Sequence, residues 1–168
     1  SDCTGSPCVN GTCQCDPGFT GTNCATAQLG SGAVAFYEKQ DWVWGTSVLT
    51  DAAGAHHAFT MELKNRCGVQ HYRHNGRIIH GTASNVLGPF TRRGVALDAR
   101  PGFFDGVEVE DPAIVRLPND KGYLLYYTGA AYANQSSLNC SQGDQPDTAH
   151  GPLGAAQRIG VAFSPSLD

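Results

Sequence analysis

Cysteine crowding at the N-terminus constrains this chain more than any other feature. Five of its seven cysteines fall within the first 24 residues, in the run Cys3-Thr-Gly-Ser-Pro-Cys8-Val-Asn-Gly-Thr-Cys13-Gln-Cys15-Asp-Pro-Gly-Phe-Thr-Gly-Thr-Asn-Cys24. A segment this short cannot bury enough apolar surface to fold by itself, so covalent cross-links have to hold it. Disulfides persist in an oxidising compartment, which points to a secreted or cell-surface protein. Zinc is the other use of dense cysteines, but the two Cys-x2-Cys pairs of a zinc ribbon are missing here.

The spacing Cys13-x-Cys15-x8-Cys24, with Gly18, Phe19 and Gly21 inside it, resembles the second half of an EGF-like module of the short, tenascin-like type. Such modules carry six cysteines, joined first to third, second to fourth and fifth to sixth. The resemblance implies the bridges Cys3–Cys13 and Cys15–Cys24. It leaves Cys8 as a third cysteine whose partner is expected before Ser1, outside this chain; the alternatives are that Cys8 stays reduced or pairs elsewhere. On this reading the module occupies residues 1–24 and is incomplete at its N-terminal side.

Composition narrows the rest. The chain has 168 residues, enough for the stapled module and one modest domain, with a net charge of −4 and no basic stripe, which argues against nucleic acid as a partner. No apolar run is long enough to span a membrane as a helix. Glycine is abundant at 21 residues while only 15% of residues are charged, the profile of a turn-rich β protein. Sequons at Asn10, Asn134 and Asn139 are N-glycosylation acceptors in a secreted chain; the third has Cys140 at its middle position, which lowers efficiency.

Residues 25–40 begin with small residues and read as a linker. Beyond it the spacing of apolar runs and turn residues predicts strands over 43–49, 55–63, 77–84 and 90–97, then over 113–117, 123–128 and 157–164, with a long polar loop at 129–156. No segment holds a helical period over ten residues, so the fold class is all-β. Two stretches echo each other: Ser47–Phe59 matches Ala113–Tyr126 as strand, glycine turn and aromatic-ended strand, and Arg77–Ser84 matches Arg158–Ser164. Repeats of this kind, three or four strands each, suggest propeller blades; a sandwich with similar hairpins is the plainer alternative.

The motif Val109-Glu110-Asp111-Pro112-Ala113-Ile114-Val115, with Lys121-Gly122-Tyr123-Leu124-Leu125-Tyr126-Tyr127-Thr128-Gly129 after it, resembles the second blade of five-bladed propeller glycosidases, as does Arg158–Leu167. The group spans glycoside hydrolase family 43 and the related fructosidases and levansucrases. The likeness covers about residues 41–168 and implies two blades, 41–100 and 101–168, of a longer propeller. In that family three carboxylates from three blades meet in the central channel. The resemblance puts Asp111 at the auxiliary carboxylate position; the plainer reading is an Asp that shapes a strand entry. In the first blade, levansucrase-like relatives have Trp-Asp where this chain has Trp44-Gly45, so the nucleophile is missing in that register; Asp41 and Asp51 lie off the matched position. The catalytic acid would belong to a third blade, expected after Asp168. Cys67 and Cys140, one in each expected blade, are expected to bridge; the alternatives are two thiols or bonds to another chain.

Other chemistry is sparse. His56 and His57 are adjacent in a strand and point to opposite faces, so they cannot share a metal ion. Arg77 and His80, with Trp44, are candidates to line a sugar channel, a satisfied structural histidine being the plainer reading of His80; Trp42, Trp44 and Phe104 offer stacking faces, core or blade packing being the plainer reading. No serine has a His–Asp arrangement nearby. No cofactor or metal is implied. Three functions compete: an extracellular structural or adhesive glycoprotein reusing a non-catalytic glycosidase-like propeller, such as a mastigoneme-like filament subunit; a secreted glycoside hydrolase on arabinan, xylan or fructan; and a carbohydrate-binding module on the same fold. The partners expected are glycans, neighbouring copies or other extracellular proteins.

Overall fold

The computed structural model describes residues 3, 6–16, 19–27, 34–39, 41–131 and 157–167. The chain forms two compact units, Ser1–Ala33 and Val34–Asp168. Both are built from antiparallel strands, so the all-β expectation holds.

In the first unit β1 (Cys8–Val9) pairs with β2 (Thr12–Cys13), and β3 (Phe19–Thr20) with β4 (Thr26–Ala27). The hairpin between β1 and β2 turns on Asn10 and Gly11, both at positive φ, which Asn and Gly tolerate best. Disulfides join Cys3 to Cys13 and Cys15 to Cys24. Among the described residues of this unit only Cys3 and Cys24 are buried. The interior is therefore sulfur, and the bridges do the work that an apolar core does elsewhere. Cys8 is exposed and takes part in neither bridge.

The second unit holds two meanders. The first runs β5 (Trp42–Thr50), β6 (His56–Leu63), β7 (Gly76–Ala83) and β8 (Thr91–Leu97), each strand hydrogen-bonded to the next. The second runs β9 (Glu108–Arg116), β10 (Tyr123–Ala130) and β11 (Arg158–Ser164). A single helical turn, α1 (Tyr72–Asn75), follows a 3-10 turn at Val69–His71 and leads into β7. Strand β9 packs on β5, β6 and β7, and the core between the sheets is Phe59, Ile78, Val109, Leu125 and Tyr127.

Both meanders open with a bulged strand. In β5 the pairing with β6 slips between Trp44 and Thr46, and Gly45 sits at φ +55°. In β9 the slip lies opposite Tyr127, where Asp111 (φ +50°) and Pro112 take the place of one residue. Proline has no N–H for a ladder, so a bulge is where a strand can carry it. That is why β9 begins at Glu108 rather than at the expected Ala113: the strand passes through the proline instead of starting after it.

The expected linker 25–40 divides differently. Thr26 and Ala27 form β4, and residues 34–39 belong to the second unit. There the Phe90 N–H donates to the Ala35 carbonyl at 2.7 Å, and Phe36 stacks on Phe90 with ring centres 6.4 Å apart. Phe36 also fills the space above Gly81, where a Cβ would stand 2.3 Å from its ring.

Two buried acids anchor the sheets. Glu62 is fully buried, and both Arg77 and Arg92 bond its carboxylate, with Glu38 also beside Arg92. Asp105 is fully buried; its Oδ2 accepts from the Tyr127 hydroxyl at 2.8 Å and from Arg100 Nε at 2.8 Å. Burial and the Asp105 carboxylate push the Tyr127 phenol up to about 12. Cys67 is fully buried and disulfide-bonded, but its expected partner Cys140 lies outside the described residues, as do Asn134 and Asn139.

Candidate functional site

The alternation of β9 decides where its acids go. Val109 points into the core, so Glu108 and Glu110 emerge together on the opposite face, fully buried and 4% exposed respectively. Gln157 Nε2 donates to one oxygen of each, at 3.0 Å to Glu108 and 2.9 Å to Glu110. Burial raises Glu110 most, the hydrogen bond with Glu108 and the charges of Glu108 and Asp111 add to it, and Arg73 opposes them; the carboxyl reaches about 9. Burial and the neighbouring carboxylates thus favour the protonated form of Glu110, which shares a hydrogen bond with Glu108.

The bulge turns Asp111 out of this pair, and its side chain is exposed. It faces the bulge of β5: a Cβ on Gly45 would stand 3.3 Å from Asp111 Oδ1. The two first strands are clamped here, because the Ile114 N–H donates to Ser47 Oγ at 3.1 Å. Trp44, half-buried, lies against Tyr72 with ring centres 5.7 Å apart, and Arg73 Nε donates to the Tyr72 hydroxyl at 2.8 Å. Trp44, Gly45, Tyr72, Arg73, Glu110 and Asp111 thus form one neighbourhood: an aromatic pair, a cation, a neutral acid and an anion. Such a set can stack on a sugar ring and bond its hydroxyls.

Arg77 and His80 are not part of it, and they are not together. Three residues apart on one strand, they face opposite sides of the sheet. Arg77 bonds Glu62; His80 Nε2 lies 2.9 Å from His57 Nδ1 on the core side, and its ring stacks on Phe59. Phe104 packs against Tyr127 and the core rather than offering a stacking face. Trp42 is exposed, beside Tyr37 and Asp41. Asp51 shapes a turn: its Oδ1 accepts from the N–H groups of Ala53 and Ala55, and its Oδ2 lies 3.3 Å from His57 Nε2. Burial works to raise Asp51, but these bonds hold its carboxyl below the usual range. Asp41 accepts from the Arg66 N–H. Asn10 is exposed at its hairpin tip. Among the described residues no cluster of His, Cys, Asp and Glu could hold a metal ion, and no described helix is long and apolar enough to cross a membrane.

Sequence reasoning passed over Glu108, Glu110, Gln157, Tyr72 and Arg73. A signal for the acids was present: two glutamates at i and i+2 around an apolar residue share one face of any strand. Compared with known families and with curated proteins, the chain matches no family model and no curated protein.

Proposed function

We propose that this chain belongs to an extracellular structural or adhesive glycoprotein that uses a glycosidase-like β-propeller framework to contact glycans without hydrolysing them. One observation carries the reading. The two bulged first strands put Gly45 beside Asp111, and the resemblance calls for a catalytic carboxylate at Gly45. With glycine there, β5 sets no carboxylate across from Asp111 to work with it over a glycosidic bond, where carboxyl groups stand roughly 5–10 Å apart. Trp44 and Tyr72 still offer aromatic surface, and Arg73 and Asp111 polar contacts. The paired bulges and repeated meanders are consistent with blades, and the dense N-terminal bridges fit an oxidising, extracellular setting.

A hydrolytic reading draws on Glu110, a carboxyl held neutral near pH 7 and so able to give up a proton. One experiment separates the two. The chain is incubated with arabinan, xylan and inulin while released reducing ends are measured, and is applied in parallel to an array of the same glycans. The proposal expects retention on one or more glycans and no sugar released. Release that disappears in Glu110→Gln establishes the hydrolase instead; neither retention nor release leaves no glycan role.

A further inference from the structure

The turn of the first hairpin is itself a modification motif. Asn10-Gly11-Thr12 is an Asn-x-Thr sequon, and it fills the turn and the first residue of β2. All three residues are exposed. Asn10 stands at φ +52° and Gly11 at φ +79°, the two central residues of a tight turn, with Val9 paired to Thr12 and Cys8 to Cys13 across it. Nothing lies within 4 Å of the point where a Cβ on Gly11 would stand, so the tip faces open space.

The same hairpin is stapled at its base. Cys13, next to Thr12, is bridged to Cys3, and the Gln14 N–H donates to the Pro7 carbonyl at 2.9 Å. With the bridge closed, the segments entering and leaving the sequon run side by side, about 5 Å apart. One flank of Thr12 is then covered by Val9. An enzyme that grips the Asn and Thr of an open tripeptide in one groove cannot seat this turn without parting β1 from β2. A sugar already on Asn10 meets no such obstacle, because the residue is exposed and the space beyond the tip is open.

We propose that Asn10 carries an N-linked glycan and that its transfer precedes closure of the Cys3–Cys13 bridge, so that oxidation of the hairpin sets how much of the chain is modified. In the transfer, Asn10 Nδ2 forms a bond to C1 of a sugar carried on a lipid diphosphate. The C1–O bond breaks, the diphosphate leaves with the bonding electrons, and Nδ2 gives one proton to a base of the transferase. Order follows from geometry: the folded hairpin tolerates the product but not the approach of the enzyme. The inference rests on the extracellular setting of the proposed function, where bridges and N-glycans both form, and not on its glycan-contact site.

The test uses the 168-residue chain made in the bacterial periplasm, where its bridges close and it stays unmodified, beside Cys13→Ser, which opens this staple. Both are incubated without reductant with microsomal membranes, which supply the transferase and the lipid-linked sugar. Occupancy of Asn10 is read by peptide mapping after release with peptide N-glycosidase. Cys13→Ser should be modified at least about tenfold faster than the bridged chain. Adding Thr12→Ala to Cys13→Ser should abolish the modification, since it removes the acceptor hydroxyl from a hairpin that is already open. The chain secreted from cultured animal cells behind a cleavable leader should carry the glycan on Asn10 and the Cys3–Cys13 bridge together. Equal rates with the bridge open and closed overturn the proposal, and so does secretion with Asn10 bare. Absence of retention on the glycan array strikes the contact reading alone and leaves this result unchanged.

Discussion

Glu110 sets a pH dependence that can be read in sign. Its folded pKa of about 9 lies above the ordinary value of 4.5, so between those pH values the folded chain binds a proton that the unfolded chain has released. The stabilisation is fully present below about pH 4.5 and is lost as pH rises towards 9, with a slope of at most about 1.4 kcal/mol per pH unit. Glu110→Gln keeps a neutral donor of the same shape and should flatten that slope; urea midpoints measured from pH 5 to pH 8 check it, and an unchanged slope assigns the effect elsewhere. Gly45 makes the opposite prediction. Gly45→Asp places a Cβ 3.3 Å from Asp111 Oδ1 at positive φ, and sets two carboxylates side by side. It should cost about 1–2 kcal/mol, and more at pH 8 than at pH 4, where protonation removes the repulsion. A loss independent of pH would mean the new carboxylate does not meet Asp111.

At the level of elements, β6 shows what a sequence pattern can and cannot say. The run His56–Leu63 reads as a strand, and it is one, but its alternation does not say that both faces are covered. Phe59 faces the second sheet, and Glu62 faces Arg77 and Arg92 on the other side. Glu62→Gln leaves two guanidinium groups around a buried site without their anion and should cost roughly 3 kcal/mol by urea unfolding. Arg92→Gln should cost less, because Arg77 still holds the carboxylate; equal losses would argue against a shared anchor. The strands were legible because valine, isoleucine and aromatic runs are bounded by glycine and proline turns. The start of β9 was not, because Pro112 reads locally as a stop and only a paired β10 makes a bulge of it. Arg77 and His80 were grouped by closeness in sequence, which on a strand sends an odd-numbered separation to opposite faces.

For the whole molecule, the two units should respond to reduction differently. The first buries only Cys3 and Cys24 among its described residues, so opening its bridges removes its interior. The second has an apolar core between two sheets. In dithiothreitol, amides of residues 8–16 and 19–27 should lose their exchange protection while those of β6, β7 and β10 keep most of theirs. Loss of protection in both units together would show that the Cys67 bridge, and not the core, holds the second.

By itself the sequence determined what is local: strands and turns at their places, and a cysteine-rich segment too short to fold without bridges. These follow from periodicity, backbone preference and surface-to-volume limits, all of which act over a few residues. Only the tertiary structure decided that Gly45 and Asp111 face each other, and that Gln157 ties Glu108 to Glu110. Each of these joins residues far apart in the chain, and their chemistry depends on burial and distance, which exist only once the sheets have packed.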